Sequence, residues 1–545
     1  MTASADQTGR PRLSVAMIVR NEEDVLAASI ESVRTIADEI VVLDTGSTDQ
    51  TAALARQLGA AVDSSSWRDD FSAARNRCLE RVTGDWVLWL DAGEQLDAET
   101  AAELRRFIDQ QADPQEAYMM LVAVPPAAEG VSPEQIARLR LMPNHATLRF
   151  AGRLRETLMP SINACGLQTG AAPGRIIRHV RQHDPQRREL VARRDLKLAA
   201  MEIAQQDPPP ARLLLALGEA RNNLGDIAEA RTAYEQAIEV AEHGSTEMLE
   251  AYYGLLTSFE DKQSQDERLL RVCLEALEIF PLDAQLLMMM GNYLQSLNRL
   301  ELAERSFDTA FKHGRVDLGV WHLGELAELT ADCLALILQA RNRDDKARSV
   351  LTEAIARTPD STRLRRRMME LHIKHGRGEE AVALAEQLPV EDDQREPLLD
   401  TVRGACMAAQ RHWTPALGYL QSAYISGCRD PLCLRWLSVT LLSNGKIDAA
   451  KPVLSEWRQL DPDNVEIQRY TEMIEQPSAE KAVEPQPPEP QPVETSMPSE
   501  VAGLQYRVDQ GTSVVSAHAQ LPVISQNTSA DAAYSSHLAP RDDAS

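Results

Sequence analysis

Residues 39–49 read E-I-V-V-L-D-T-G-S-T-D and residues 86–94 read W-V-L-W-L-D-A-G-E. Each is an apolar run of strand length that stops at an aspartate, Asp44 in the first and Asp91 in the second. A run that is apolar at every position, rather than at every second one, is buried on both faces, as in a parallel sheet covered by helices. Ligands of such sheets sit beyond the carboxyl ends of the strands, which puts Asp44 and Asp91 at the mouth of one crevice. Two carboxylates there suit a ribose, a base edge or a metal-bound diphosphate better than they suit packing.

Outward from these runs, strand-like and helix-like stretches alternate. Leu13–Val19 reads as a strand and 22–35 as an amphipathic helix with Leu26, Ile30 and Val33 on one face. Ile40–Leu43 is a second strand, and Thr48 or Asp49 caps a helix over 50–58 that ends at Gly59. A strand at Ala60–Val62, a helix over 71–82, the strand Trp86–Leu90, a helix over 98–110 and a strand at Ala117–Val124 follow. This alternation predicts βαβ units and a mostly parallel sheet. Less regular pieces come at 138–150 and 175–180.

From 211 the sequence turns wholly helical and repeats with a period near 34. In 284–317, Leu287, Met290, Gly291 and Leu294 precede Ala303, Phe307 and Ala310, the small and large positions by which the two helices of a tetratricopeptide repeat interlock. Units at 211–244, 328–361 and 431–464 keep the same phase, and weaker ones start near 250, 362 and 397. A helical solenoid is expected over 200–470, with a concave face suited to a peptide or partner protein. Behind it, E-P-Q-P-P-E-P-Q-P at 484–492 and Ser-, Thr-, Ala- and Gln-rich sequence bury too little apolar surface to order a chain. Residues 476–545 therefore read as a disordered tail and 1–11 as a flexible N-terminus.

A chain of 545 residues is too long for one core. Its 57 Lys and Arg against 82 Asp and Glu give a net charge of −25, which argues against nucleic acid or an anionic membrane as the main partner. No run approaches transmembrane length, and the first residues hold no apolar leader core. Among seven cysteines only Cys428 and Cys433 are closely spaced, and they lack companions at zinc spacing. Reduced thiols in a cytoplasmic protein are the expectation.

The segments I-V-R-N-E-E at 18–23, D-E-I-V-V-L-D-T-G-S-T-D-Q-T at 38–51, W-R-D-D-F-S-A-A-R-N at 67–76 and G-D-W-V-L-W-L-D-A-G-E at 84–94 resemble, in this order and spacing, family 2 glycosyltransferases of the GT-A fold. The resemblance is closest to bacterial members that carry tetratricopeptide repeats behind the catalytic domain. It implies a GT-A-like (Rossmann-like) α/β domain over 12–190 that transfers a sugar, with inversion, from a nucleotide-diphosphate sugar. It further implies that Glu22 faces the base and ribose, that Asp44 bonds the base and that Arg75 holds diphosphate oxygens. Asp91-Ala92-Gly93-Glu94 stands where the family has D-x-D, so Asp91 and Glu94 are the implied ligands of Mg²⁺ or Mn²⁺. The stretch R-L-M-P-N-H-A-T-L-R-F-A-G-R-L-R-E-T-L at 140–158 resembles the family segment ending in Gly-Arg-Ile-His-Glu. Glu156 takes the place of its acid, the implied base or acceptor-site carboxylate, and Arg155 stands where the family has histidine. His179 matches a later family histidine, without the Gly-Tyr that follows it there.

Ordinary readings stand beside these. Glu22 can serve the first turn of a helix, Asp44 and Asp49 a turn and a cap, and Glu94 the helix that follows. Arg75 can pair with Asp69 or Asp70 on the surface. A different class, a non-catalytic scaffold with a degenerate nucleotide-sugar-binding domain and a partner-binding solenoid, fits the same sequence. A dehydrogenase does not, because no G-x-G-x-x-G follows the first strand.

Overall fold

The computed structural model describes residues 9–126, 132–180, 184–259, 266–462 and 464–475. The expected tail at 476–545 and all but the last residues of the expected flexible N-terminus lie outside these. The chain starts β1 (Leu13–Val19), α1 (Glu23–Val33), β2 (Glu39–Asp44), α2 (Thr51–Gln57), β3 (Ala61–Ser64), α3 (Phe71–Leu79), β4 (Trp86–Trp89), β5 (Glu94–Gln95) and α4 (Ala98–Gln110). Next come β6 (Glu116–Val124), β7 (Glu134–Pro143), α5 (Met159–Cys165), β8 (Gln168–Arg178) and α6 (Pro185–Ile203). Leu13, Val15, Met17 and Val19 of β1 face α1, α2 and α4, whereas Ala16 packs with Cys78, Trp89 and Ile162 on the side of α3 and α5. That two-sided burial is why the run is apolar throughout.

The sheet order is β3-β2-β1-β4-β7-β6-β8-β5. The first four strands are parallel, but β7 runs antiparallel to both β4 and β6, and β5 antiparallel to β8. The sheet is thus mixed rather than mostly parallel, because the stretches that looked irregular, 138–150 and 175–180, hold the long strands β7 and β8. Val19 of β1 lies opposite Asp44, and Ala16 opposite Trp89, so Asp44 and Asp91 flank the carboxyl end of β1 from its two sides.

Helix pairs then stack: α7 (Ala211–Leu224) with α8 (Ile227–Val240), α9 (Thr246–Thr257) with α10 (Asp266–Ile279), and α11 (Ala284–Ser296) with α12 (Leu300–His313). After a short strand β9 (His322–Leu323) come α13 (Leu326–Ala340) with α14 (Asp344–Arg357) and α15 (Thr362–Lys374) with α16 (Gly378–Ala385). The last are α17 (Asp392–Ala409) with α18 (Trp413–Ile425), α19 (Pro431–Ser443) with α20 (Ile447–Leu460), and α21 (Val465–Glu475). The small-against-large interlock is physical: a Cβ on Gly291 would stand 2.5 Å from the Phe307 ring. No helix among the described residues is long and apolar enough to cross a membrane.

Several contacts join the halves. Helix α6 runs through the interval expected to separate them. Between α12 and α13 the chain returns to the sheet: β9 pairs antiparallel with the start of β7, and the Ala137 N–H donates to the Leu318 carbonyl at 2.6 Å. One buried cluster continues from β1 through Val320 and Trp321 to Leu249 and Tyr253 of the repeats.

Candidate functional site

Beyond the carboxyl ends of β1 and β4 lies a cleft of about 450 Å³. One wall is the turn Arg20-Asn21-Glu22; Thr45, Trp67, Asp91 and Ala92 line it further, and α6 closes it with Arg187, Leu190, Val191 and Arg194. The turn is rigidly tied. Asn21 takes a left-handed conformation at φ 55°, its N–H donates to Ser47 Oγ at 3.0 Å, and its Oδ1 accepts from the Thr48 N–H at 2.8 Å. The Glu22 N–H donates to Thr51 Oγ1 at 2.7 Å, and the Glu22 carboxylate pairs with Arg187 at 3.1 Å. Asp44 uses Oδ1 to accept from both the N–H and the hydroxyl of Ser47, at 2.9 and 2.6 Å. It shapes the turn whose Thr45 reaches the cleft; its own side chain does not line it.

Beneath Asp91 three arginines meet three carboxylates. Arg75, 1% exposed, stacks its guanidinium over Trp89 at 4.4 Å, bonds Glu156 through Nε and approaches Asp91 at 3.4 Å. Arg140 of β7 reaches Asp91 at 3.2 Å and Glu94 at 2.7 Å. Arg178 at the end of β8 reaches Glu94 at 2.8 Å and lies 5.8 Å from the Trp321 ring centre. Burial pushes the Glu94 carboxyl up, Arg140 pulls it back and Asp91 adds to the rise. Burial likewise pushes Glu156 up to about 7 against the opposing pull of Arg75.

These contacts decide which expected residues meet. Asp91, Glu94, Arg75 and Glu156 do come together, but only Asp91, 16% exposed, also lines the cleft. Arg75 lies behind Asp91 and does not reach the space for a diphosphate, and Glu156, 0% exposed, is shut away from any acceptor. Glu94 does not turn toward a metal: its Oε2 accepts from the Asp91 N–H at 3.0 Å while Oε1 faces Arg140 and Arg178. The donor set does not fit a divalent ion, because Asp91 is the one carboxylate of this cluster on the cleft and its charge is already met by Arg140 at 3.2 Å and Arg75 at 3.4 Å. Among the described residues no group of three or more His, Cys, Asp or Glu side chains stands ready for a metal. The His179 N–H bonds the Gly93 carbonyl at 2.7 Å, which fixes the turn below Asp91.

Sequence reasoning missed Arg140, Arg178, Arg187 and Arg194. One signal was available: Arg138 and Arg140 stand two apart inside an otherwise apolar strand. Both are buried, and a buried guanidinium needs a carboxylate partner.

The loop carrying Glu156 hangs from the repeats. Ala151 and Thr157 pair across its neck, at 2.8 and 2.9 Å. Arg155, at φ 50°, meets Glu219 of α7 at 2.5 Å and Glu250 of α9 at 2.5 and 3.1 Å. The N–H groups of Arg153 and Leu154 donate to Glu202 of α6 at 2.8 and 3.3 Å.

Residues 14–114 match the profile of the family described as Glycosyl transferase family 2, and 211–243 and 338–406 match Tetratricopeptide repeat profiles. A TPR repeat-containing protein of Synechococcus elongatus is 34% identical over 233 residues, 42% of this chain and 56% of that protein. An uncharacterized glycosyltransferase of Rickettsia felis is 38% identical over 96 residues, 17% of this chain and 32% of that one. The SPbeta prophage-derived glycosyltransferase SunS of Bacillus subtilis is 28% identical over 108 residues, 19% of this chain and 26% of that one. The matches thus span from about a quarter to just over half of these relatives. This chain carries a glycosyltransferase family 2 domain at its N-terminus and tetratricopeptide repeats in its C-terminal region.

Proposed function

We propose that the cleft binds a nucleotide-diphosphate sugar and that the protein transfers the sugar to an acceptor, with the inversion that the family resemblance implies. The observation that carries this reading is where the cleft lies: at the carboxyl ends of the parallel strands, walled by residues 18–22, 45, 67, 71 and 91–92 inside the matched family profile. Glu22 on the cleft wall faces base and ribose, and Asp91 receives hydrogen bonds from substrate hydroxyls. Glu156 is a positioning residue: it holds Arg75 against Asp91, and so fixes the one clustered carboxylate that substrate can touch. Asp44 acts through the turn it shapes.

A polypeptide held by the repeats is the acceptor class that uses both halves of the chain. A cytoplasmic setting agrees with seven cysteines none of which is in a disulfide. Hydrolysis of UDP-, GDP- and dTDP-sugars by the full chain tests the reading. One donor is expected to turn over, and Asp91→Asn to slow it by about a hundredfold or more, the scale of losing a preorganised group at a reacting centre. No turnover with any donor, together with partner capture unchanged in Asp91→Asn, would favour the scaffold instead, a reading supported by the sealed state of Glu94 and Glu156.

A further inference from the structure

The floor of the cleft is electrically complete. Arg75, Arg140 and Arg178 stand against Asp91, Glu94 and Glu156, three cations to three carboxylates, all shielded from water or nearly so. A divalent cation on Asp91 would bring two further positive charges up to Arg75 and Arg140, where little solvent is present to screen them. The diphosphate of a donor nonetheless needs positive charge beside it, and a different element supplies it.

Helix α6 presents Arg187, Leu190, Val191 and Arg194 to the cleft. The spacing i, i+3, i+4, i+7 puts the four on one helix face, an arginine at each end and two apolar side chains between. Leu190 is 70% exposed, so no described residue covers it. Arg194 stacks over Phe71 at 4.9 Å and bonds the buried Asp195 through Nε at 2.7 Å, while its Nη2 is buried with no hydrogen-bond acceptor among the described residues. With Arg20 the cleft lining carries three arginines against Glu22 and Asp91, in a chain whose net charge is −25. Counting Asp195 behind Arg194, the patch is balanced where the chain as a whole is strongly acidic, which lessens the repulsion of an anionic ligand there.

We propose that Arg187 and Arg194 of α6 bind the donor's diphosphate in place of a divalent cation, so that nucleotide binding here is metal-independent. Guanidinium forks match phosphate oxygens geometrically and stay charged at every working pH. This rests on the reading of the cleft as a nucleotide-sugar site. The two residues lie outside the matched family profile, on the helix that leads into the repeats.

Calorimetric titration of the full chain with UDP, GDP and dTDP, in EDTA and in MnCl₂, tests the proposal. The tightest nucleotide is expected to bind within about threefold in the two buffers. Arg187→Gln with Arg194→Gln is expected to weaken it at least tenfold. Arg193→Gln, whose side chain pairs with Glu189 on the outer face, is expected to leave it unchanged. A tenfold or greater loss in EDTA that MnCl₂ restores overturns metal independence while leaving the nucleotide site standing. So does unchanged binding by the double variant for the role of α6. Failure of all three nucleotides in both buffers removes the nucleotide reading itself. The buffer comparison uses the unaltered protein, so it decides even if the double variant does not fold.

Discussion

Glu156 shows how burial and pairing oppose each other at a single residue. Its carboxyl is fully buried and stands at about 7, above the 4.5 of an exposed glutamate. Between those values an unfolded chain has released this proton while the folded chain keeps it. The stabilising contribution is therefore complete below pH 4.5 and is lost as pH rises through about 7. Glu156→Gln is neutral throughout and lacks that decline. In urea titrations the variant is expected to gain on the unaltered protein from pH 4.5 up to about 7 and then run parallel to it. A pH-independent difference would mean that Glu156 is ionised beside Arg75 over the whole range. At this scale the sequence was half legible. Asp91 stood out because it ends an apolar strand, a feature local in the chain. Its partner Arg140 comes from a strand 49 residues further on, and Arg178, the partner of Glu94, lies 84 residues beyond that glutamate; nothing nearby in sequence marks either as a neighbour.

The loop from Ala151 to Thr157 is an element with little structure of its own, held by three helices from outside the matched profile. Arg155 is its anchor, and its surroundings are Glu219, Glu250 and the buried ring of Tyr234. Removing one member of such a buried group while leaving the others costs about 3–5 kcal/mol, because charge is stranded without water. Arg155→Met is expected to lower the unfolding free energy from urea titration by an amount of that order. Adding Glu219→Gln and Glu250→Gln is expected to restore most of it, since the carboxylates then carry no charge to strand. If the triple variant is as weak as the single one, the loss lies in packing. Among the elements, β2 was readable from its apolar run Ile40–Leu43, and β4 because every residue is apolar. By contrast, β7 carries Arg138 and Arg140 in its middle, and β8 carries Gly170, Pro173 and Gly174, which read locally as loop. Only their cross-strand partners make them strands. The repeats were readable for the opposite reason, since each contacts mainly its sequence neighbours and its pattern recurs.

For the molecule as a whole, His322 is the titrating group at the junction. It is buried; Nδ1 donates to the Val320 carbonyl at 3.0 Å, and Nε2 meets the Gln135 amide at 3.1 Å. Burial pulls its pKa down to about 4 from 6.5, outweighing the Val320 hydrogen bond. An unfolded chain takes up this proton below 6.5 and the folded one only near 4, so the stability it confers is present above 6.5 and lost as pH falls through about 4. Acidification over that window is expected to lower amide protection, measured against the exchange rate of an unfolded chain at the same pH, around β9 and the facing residues of β7. His322→Gln is expected to abolish the loss of protection; an equal loss in the variant would assign the effect to another group.

The pairing of β9 with β7 also fixes an order of events during synthesis. The start of β7, at Glu134 and Gln135, finds its partner at His322 and Leu323, so helices α6 to α12 must be made before that edge of the sheet closes. Until then a growing chain carries an open strand edge, the kind of surface that pairs with other chains. Arg138 sits just beyond the pairing, a charge within that edge of the kind that discourages foreign strands, and in the finished fold Gly319 accepts from it at 3.3 Å.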